Sequence, residues 1–498
     1  MPPRTEGART PCLLAVLLGA GLLASDAAAA PVPAVPVEVE LTADLSGASL
    51  GQVEIIRRVI EAARIIEDLY REQVEVLGFY PEDMSPEEFG AWEEAAAASP
   101  YTLVRRDAAG ELEAVPYHAM WPDELGRVAR LLAQAAELTD DEGLRHYLTQ
   151  CARALIVGDY RRAEQAWQAM RYSDLEVLIG PIGKDDDAEY GLKAAFGAYL
   201  LVRDWAWGAR LAALSVFLPE LQHELPVSAA FKAEVPEVEM KVAVYDLLYH
   251  AGYGAARSGV VAPDTAADRR VRLERGPRRL QLRNVMRARF DALVRPAAEV
   301  LLAPEERRRV GFEPFFLNTM LHEMAHELGL RETVTGRGPV RAALGEHADL
   351  VEEAKATVLS LWMAKRLQAR GELPETGLAD HYASFLAGLF RTVQLDGDSP
   401  AGQARVLVFN FFRDWGAIRR DGDSGLYRVD AHATAPAVEA LAAQLLTLQG
   451  SGDREGAALL VEALARPRAE FRADLERLDA AGVPGAIVFR QGEALLGL

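Results

Sequence analysis

The chain has 498 residues, half of them apolar, with a formal net charge of −20 and a pI near 5.0. That balance argues against nucleic acid or an anionic membrane surface as partner, because both would be repelled and no basic stripe stands out; the Arg-rich stretch 269–289 is interleaved with apolar residues. The length allows a large core, and a core is needed, since Cys12 and Cys151 are the only cysteines and one of them lies in a leader.

The leader comes first. Arg4 and Arg9 precede an apolar run, Leu13 to Ala24, followed by Ala27–Ala30 and Pro31, the layout of a secretory signal peptide over residues 1–30 with cleavage near Ala28–Ala30. The run is shorter than the roughly 20 apolar residues of a membrane span, and Cys12 precedes it, unlike the cysteine of a lipoprotein. Cleavage implies a secreted or periplasmic protein with no membrane attachment, whose sole cysteine is Cys151. Residues 31–285 read as a mixed N-terminal lobe. Within it 31–45 is extended or disordered, Leu50 to Val76 is amphipathic and helical, Ser85 to Ala98 starts with a helix signal, and 100–117 holds short strands. Periodicity predicts helices over 122–170 and 188–222, then an extended, turn-rich region over about 235–285. Residues 286–498 read as a helical lobe, with loops near 331–345 and 395–402 and a closing strand at Ala486 to Arg490. The fold class is therefore α+β, predominantly helical.

One stretch carries chemistry. Residues 322–326 read His-Glu-Met-Ala-His inside a mostly apolar helix, Phe315 to Leu330. On a helix, residues four apart leave the same face, so the His322 and His326 rings can grip one metal ion, with Glu323 beside them as a base for the attacking water. A third ligand is required. Glu332 falls six residues after His326, imitating the metzincin pattern, but that group has His or Asp there and a Met-turn that this chain lacks. His347 reads as a solvated residue. A second predicted helix, Ala348 to Arg370, carries Glu352 and Glu353 in its first turns, and Glu353, 27 residues after His326, is the favoured ligand. With no cysteine cluster, the donors are His and carboxylate, which suits catalytic Zn2+ better than structural zinc.

The motifs extend beyond the pentapeptide. LHEMAHELG (321–329) and EEAKAT (352–357) resemble the paired zinc segments of the dipeptidyl peptidase III family, especially its shorter bacterial and plant Nudix-associated members, although no Nudix signature appears here. VLIGPIGKDDDAEYGLKAAFGAYLLVRD (177–204) resembles the family's IGP segment with the helix that follows it. APDTAADRRVRLERGPRRLQLRNVMRARF (262–290) resembles the region from the substrate strand to a Leu-x-Asn-Val helix start, and FLAGLFRTVQLDGDSPAGQARVLVFNFFRDWGAI (385–418) the segment that normally contains Glu-Ala-His-Gly. The resemblance spans roughly residues 170–420. It implies two lobes around a cleft, one helical and zinc-binding, one mixed with a small β-core. It also implies His322, His326 and Glu353 as zinc ligands, Glu323 as general base, Glu352 and Thr357 behind the ligands, and Arg405 and Asp264 on a short peptide substrate from which N-terminal dipeptides are released.

Departures from the family pattern bear on activity. Ala401 stands where the family has a histidine that stabilises the oxyanion, and an alanine donates nothing. Gly183 stands where relatives place a glutamate for the substrate's amino end, with Asp185, Asp186 and Asp187 near in sequence. Asp264 replaces an asparagine. Thr357 replaces an acidic residue that orients a zinc histidine, and its hydroxyl is the weaker acceptor. The alternative to a peptidase is therefore a zinc-binding, weakly active or inactive relative that binds peptides or a protein. Oligomeric state is not encoded in any of these motifs.

Overall fold

The computed structural model describes residues 36–170, 172–184, 186–238, 242–253 and 279–498. The signal-peptide reading and Asp264 lie outside the described residues.

Two hydrophobic cores organise the chain. The first is built on α1 (Leu50–Tyr70), which starts at a capping box formed by Ser49 and Gln52 and buries Ile55, Ile56, Val59, Ile60 and Ile66 at helical spacing. The chain continues as a π-helix over Arg71–Leu77, which turns Gln73 inward. The Gln73 amide accepts from Phe196 N–H at 2.8 Å and donates to the Ala194 carbonyl at 3.2 Å, pinning α1 to a sheet.

Among the described residues ten strands form four sheets. β1 (Val37–Glu40) runs parallel to β10 (Ile487–Arg490), so the two ends of the described chain meet. β2 (Thr102–Arg106) and β3 (Leu112–Pro116) form a hairpin. The main sheet has the order β4 (Leu175–Gly183), β5 (Ala195–Arg203), β6 (Val242–Gly252), β7 (Arg279–Leu282), antiparallel except for the parallel β6–β7 pair. β8 (Ile418–Arg420) and β9 (Tyr427–Val429) make a small hairpin that helical periodicity did not reveal.

The helix expected over 188–222 is corrected. Ala195–Arg203 is strand β5, and helices begin only at Trp205–Ser215 and Leu218–Glu224. The family helix expected after the IGP segment is the same strand. Its first seven residues are buried on both faces between two neighbouring strands, and a continuous apolar run has neither the 2.0 nor the 3.6 period that would tell strand from helix.

The second core is helical. It joins α2 (Phe312–Ala325), α3 (Ala348–Ala369), α4 (Leu378–Asp396), α5 (Pro400–Trp415) and α6 (Ala431–Ser451) around Phe316, Met320, Trp362, Phe390 and Leu441. α2 is apolar on nearly every face, as a helix at the centre of a bundle must be. Strand β6 divides the two cores, with Val244 in the helical one and Tyr245 in the sheet-based one, since successive side chains leave opposite faces. The fold is thus α+β and predominantly helical, and among the described residues no helix is long and apolar enough to cross a membrane.

Candidate metal centre and cleft

α2 ends where the motif ends. After Ala325 the chain turns, and Gly329 takes φ +101°, a conformation that side-chain-bearing residues rarely adopt. The Gln222 side chain brackets that glycine, accepting from its N–H at 2.9 Å and donating to its carbonyl at 3.0 Å. α3 packs directly against α2 and lays the first turns of EEAKAT over the two histidines.

His322, His326 and Glu353 each turn one donor atom to a common point, and the three atoms lie within 4.8 Å of one another. Glu353 stands 3.4 Å from His322 Nε2 and 4.0 Å from His326 Nε2. These distances are long for hydrogen bonds. They suit ligands of one tetrahedral ion, which at metal–donor lengths of about 2.0–2.1 Å stand about 3.3 Å apart. The two imidazoles cross nearly at right angles, 87°, with centroids 4.9 Å apart. Two imidazoles and a carboxylate are a donor set suited to zinc, and His326 and Glu353 line the same cavity as Glu323. The other two candidate ligands, Glu332 and His347, are not in the cluster.

Polar partners stand behind these donors. Glu352 accepts from or pairs with three groups: His326 Nδ1 at 2.7 Å, Lys355 Nζ at 2.8 Å and Gln449 Nε2 at 2.8 Å. Burial would raise the Glu352 carboxyl, but the Lys355 ammonium and His326 more than offset it and hold it well below the usual carboxylate range. Burial opposes ionisation of Glu353 as well, yet His322 and His326 bring it down to about 2. His322 is pushed down by burial, toward the neutral form that a metal requires.

Thr357 lies behind His322 with a long contact, 3.4 Å from Oγ1 to Nδ1, and its oxygen accepts a 2.6 Å hydrogen bond from Arg405. Arg405, on α5, thus reaches the site through Thr357 and lines the cleft beside Glu323. Glu323 itself accepts from Gln281 Nε2 at 3.1 Å, a residue of β7 delivered from the sheet. Gln281, Lys355 and Gln449 were not singled out from sequence. Lys355 sits inside EEAKAT and was within reach, whereas Gln281 and Gln449 come from 42 and 97 residues away from their partners.

Two cavities meet at Glu323, one of about 340 Å³ running between α2 and α4, the other of about 630 Å³ opening past Glu353 toward the start of α5. Ala401 lines the second, together with Ser399 and Pro400. Among the described residues the only imidazoles on either wall are His322 and His326, and no tyrosine lines them. A Cβ at Gly183 would come within 2.2 Å of the Tyr253 ring, so the glutamate of relatives fits there only with a shift of that ring. Asp187 does not supply that charge either. It is buried, accepting from Tyr80 Oη and from the N–H groups of Tyr190, Leu192 and Lys193, all between 2.7 and 3.0 Å. Asp185 lies outside the described residues.

No protein-family model matches the chain. It is 30% identical over 457 residues to Nudix hydrolase 3 of Arabidopsis thaliana, an alignment covering 84% of this chain but only 58% of that protein. Among solved structures it is similar to DPP III from Caldithrix abyssi, with 28% identity, a TM-score of 0.84, and 91% of this chain and 97% of that one covered. Dipeptidyl-peptidase III from Corallococcus sp. strain EGB also matches, at 28% identity and a TM-score of 0.69, over 91% of this chain and 95% of that one. The same fold over nearly the whole length of both, with the two zinc segments on packed helices, places this chain in the dipeptidyl peptidase III family.

Proposed function

We propose that the chain is a zinc-dependent peptidase of short peptides, releasing dipeptides from a free amino terminus, and that it works in the periplasm or outside the cell. The convergence of His322, His326 and Glu353, with Glu323 on the wall of both cavities, carries this reading. The names of the two structural relatives support the dipeptidyl part, and the leader supports the location.

His322, His326 and Glu353 would hold zinc, which when bound polarises the scissile carbonyl as a Lewis acid. Gln281 fixes one oxygen of Glu323 so that the carboxylate faces the cleft. Glu323 then takes a proton from the attacking water and passes it to the leaving amine. Glu352 and Thr357 set the orientation of the two imidazoles. Where the family has its oxyanion histidine this chain has Ala401, on the wall of the larger cavity, while Arg405 and Gln281 are donors on the wall of the smaller one.

That last point favours a second reading, a zinc-retaining but weakly active relative that binds peptides. One comparison separates the two. The mature protein and Glu323→Gln are assayed for zinc and for cleavage of free-amino and blocked tetra- to octapeptides. The peptidase reading expects about one zinc per chain and dipeptides released by the wild type alone, from unblocked peptides alone. Stoichiometric zinc without cleavage by either protein would sink it.

A further inference from the structure

The cavity between α2 and α4 has a polarity that peptide hydrolysis does not require. Its wall combines Glu323 and Asp396 with apolar residues that include Leu293, Phe315 and Phe385 and with two arginines, Arg289 and Arg391, besides Arg405. Arg391 is 3% exposed. Its guanidinium is held by donation to the Pro484 carbonyl at 2.8 Å and to the Gln394 side chain, while its Nε is buried with no partner among the described residues. Burial and the neighbouring Arg289 push Arg391 down to about 10, against a partial opposing pull from Asp479. Burial also pushes Arg289 down, and among the described residues no carboxylate opposes that shift. Two like charges thus share a partly desolvated cavity, and among the described residues neither has a salt bridge, although Asp396 lines the same cavity and Asp479 acts on Arg391; a directly bound anion would relieve their repulsion.

The other cavity has the opposite sign. Glu237, Glu323, Glu327, Asp349, Glu353 and Asp396 outnumber the cations on its wall. A zwitterionic peptide lying across Glu323 would therefore place its ammonium end in the larger cavity and an anionic group in the smaller one.

We propose that Arg289 and Arg391 form a carboxylate-binding subsite, so that the protein selects short peptides carrying a carboxylate on the leaving side of the scissile bond. This rests on the peptidase reading above. Arg391 is the fixed element, already oriented by Pro484, and Arg289 is the adaptable one. A carboxylate accepting from both would gain charge-assisted hydrogen bonds in a place where water competes poorly. Two sources offer that group, an acidic side chain or the peptide's own C-terminus.

The test uses matched peptides: Glu against Gln at each of the two residues after the scissile bond, and free-acid against amidated C-termini. The wild type is expected to prefer one of these carboxylates about tenfold or more in kcat/KM. The side-chain pair or the terminal pair that shows the preference identifies the source. In Arg289→Gln that ratio collapses toward one, and in Arg289→Glu it falls below one, in favour of the uncharged partner. A wild type that treats acid and amide alike overturns the proposal, as does a ratio unchanged in both variants; a general loss of activity with the ratio intact counts as merely structural and likewise overturns it. If no peptide is cleaved, the peptidase reading has failed, and calorimetric binding of the same pairs to the zinc-loaded Glu323→Gln protein, with and without Arg289→Gln, decides the subsite independently.

Discussion

The two sides of the cleft are built differently. On the α2–α3 side groups stand behind the two clustered histidines: Glu352 behind His326, Thr357 with Arg405 from further along α5 behind His322, and Lys355 and Gln449 behind Glu352. On the facing side, at the start of α5, the wall is Ser399, Pro400 and Ala401, and the Ser399 hydroxyl is engaged in capping its own helix through Gly402 N–H. Under the proposed function, metal retention and transition-state stabilisation are therefore separable. On that reading the first relies on groups that are present, and the second on a wall where Ala401 offers no donor.

Glu323→Gln should break the comparison most severely. It keeps the ligands and the Gln281 contact geometry but removes the proton carrier, so zinc content stays level while cleavage falls by about 10²–10⁴, read by steady-state kinetics beside metal analysis.

Acid sets a limit through two buried histidines outside the metal-ligand cluster. His250 on β6 and His381 on α4 are buried and held neutral, each pushed down to about 4 by burial. A folded pKa below the unfolded value of about 6.5 means the unfolded chain binds more protons between those values. The stability contribution is present above pH 6.5 and is lost as pH falls toward 4. At pH 5 each histidine costs on the order of 2 kcal/mol, and replacing His381 by Gln flattens the pH dependence of urea unfolding by about that amount.

Glu352→Ala tests the metal side alone. It removes the acceptor of His326 and leaves buried Lys355 without its carboxylate, and zinc affinity should drop about 10- to 100-fold in competition with a chelator. Thr357→Asp sharpens the same side. A carboxylate there can accept from Arg405 and from His322 Nδ1 together, and zinc affinity should rise by up to about tenfold, since the present 3.4 Å contact is at the limit of a hydrogen bond. An unchanged affinity in either variant would show that the groups behind the ligands are packing alone.

The metal side was legible in the sequence because its information is local. His322 and His326 share a face by helical spacing, and Glu353 follows on the next helix, so two periodic segments were enough to bring the cluster together. The supporting groups were half legible. Glu352 and Thr357 sit on the same helix as Glu353, but Gln281 arrives on a four-residue strand and Gln449 at the far end of α6, and nothing in their own neighbourhoods marks them. The sheet was hardest to read. β5 is apolar at nearly every position because both its faces are covered, and the parallel pairing of β1 with β10 joins residues 450 positions apart, beyond any local pattern. The substitution at Ala401 was visible only against the family's segment, and its consequence depends on the wall around it.

The most direct test of that separation is Ala401→His, with zinc content and kcat measured side by side in variant and wild type. Ala401 faces a cavity of about 630 Å³ that can admit an imidazole. The expected result is unchanged zinc and a kcat raised by about 10²-fold, the size of one restored oxyanion donor. A kcat that does not move, with zinc stoichiometric in both proteins, would contradict the claim that this wall limits the chemistry.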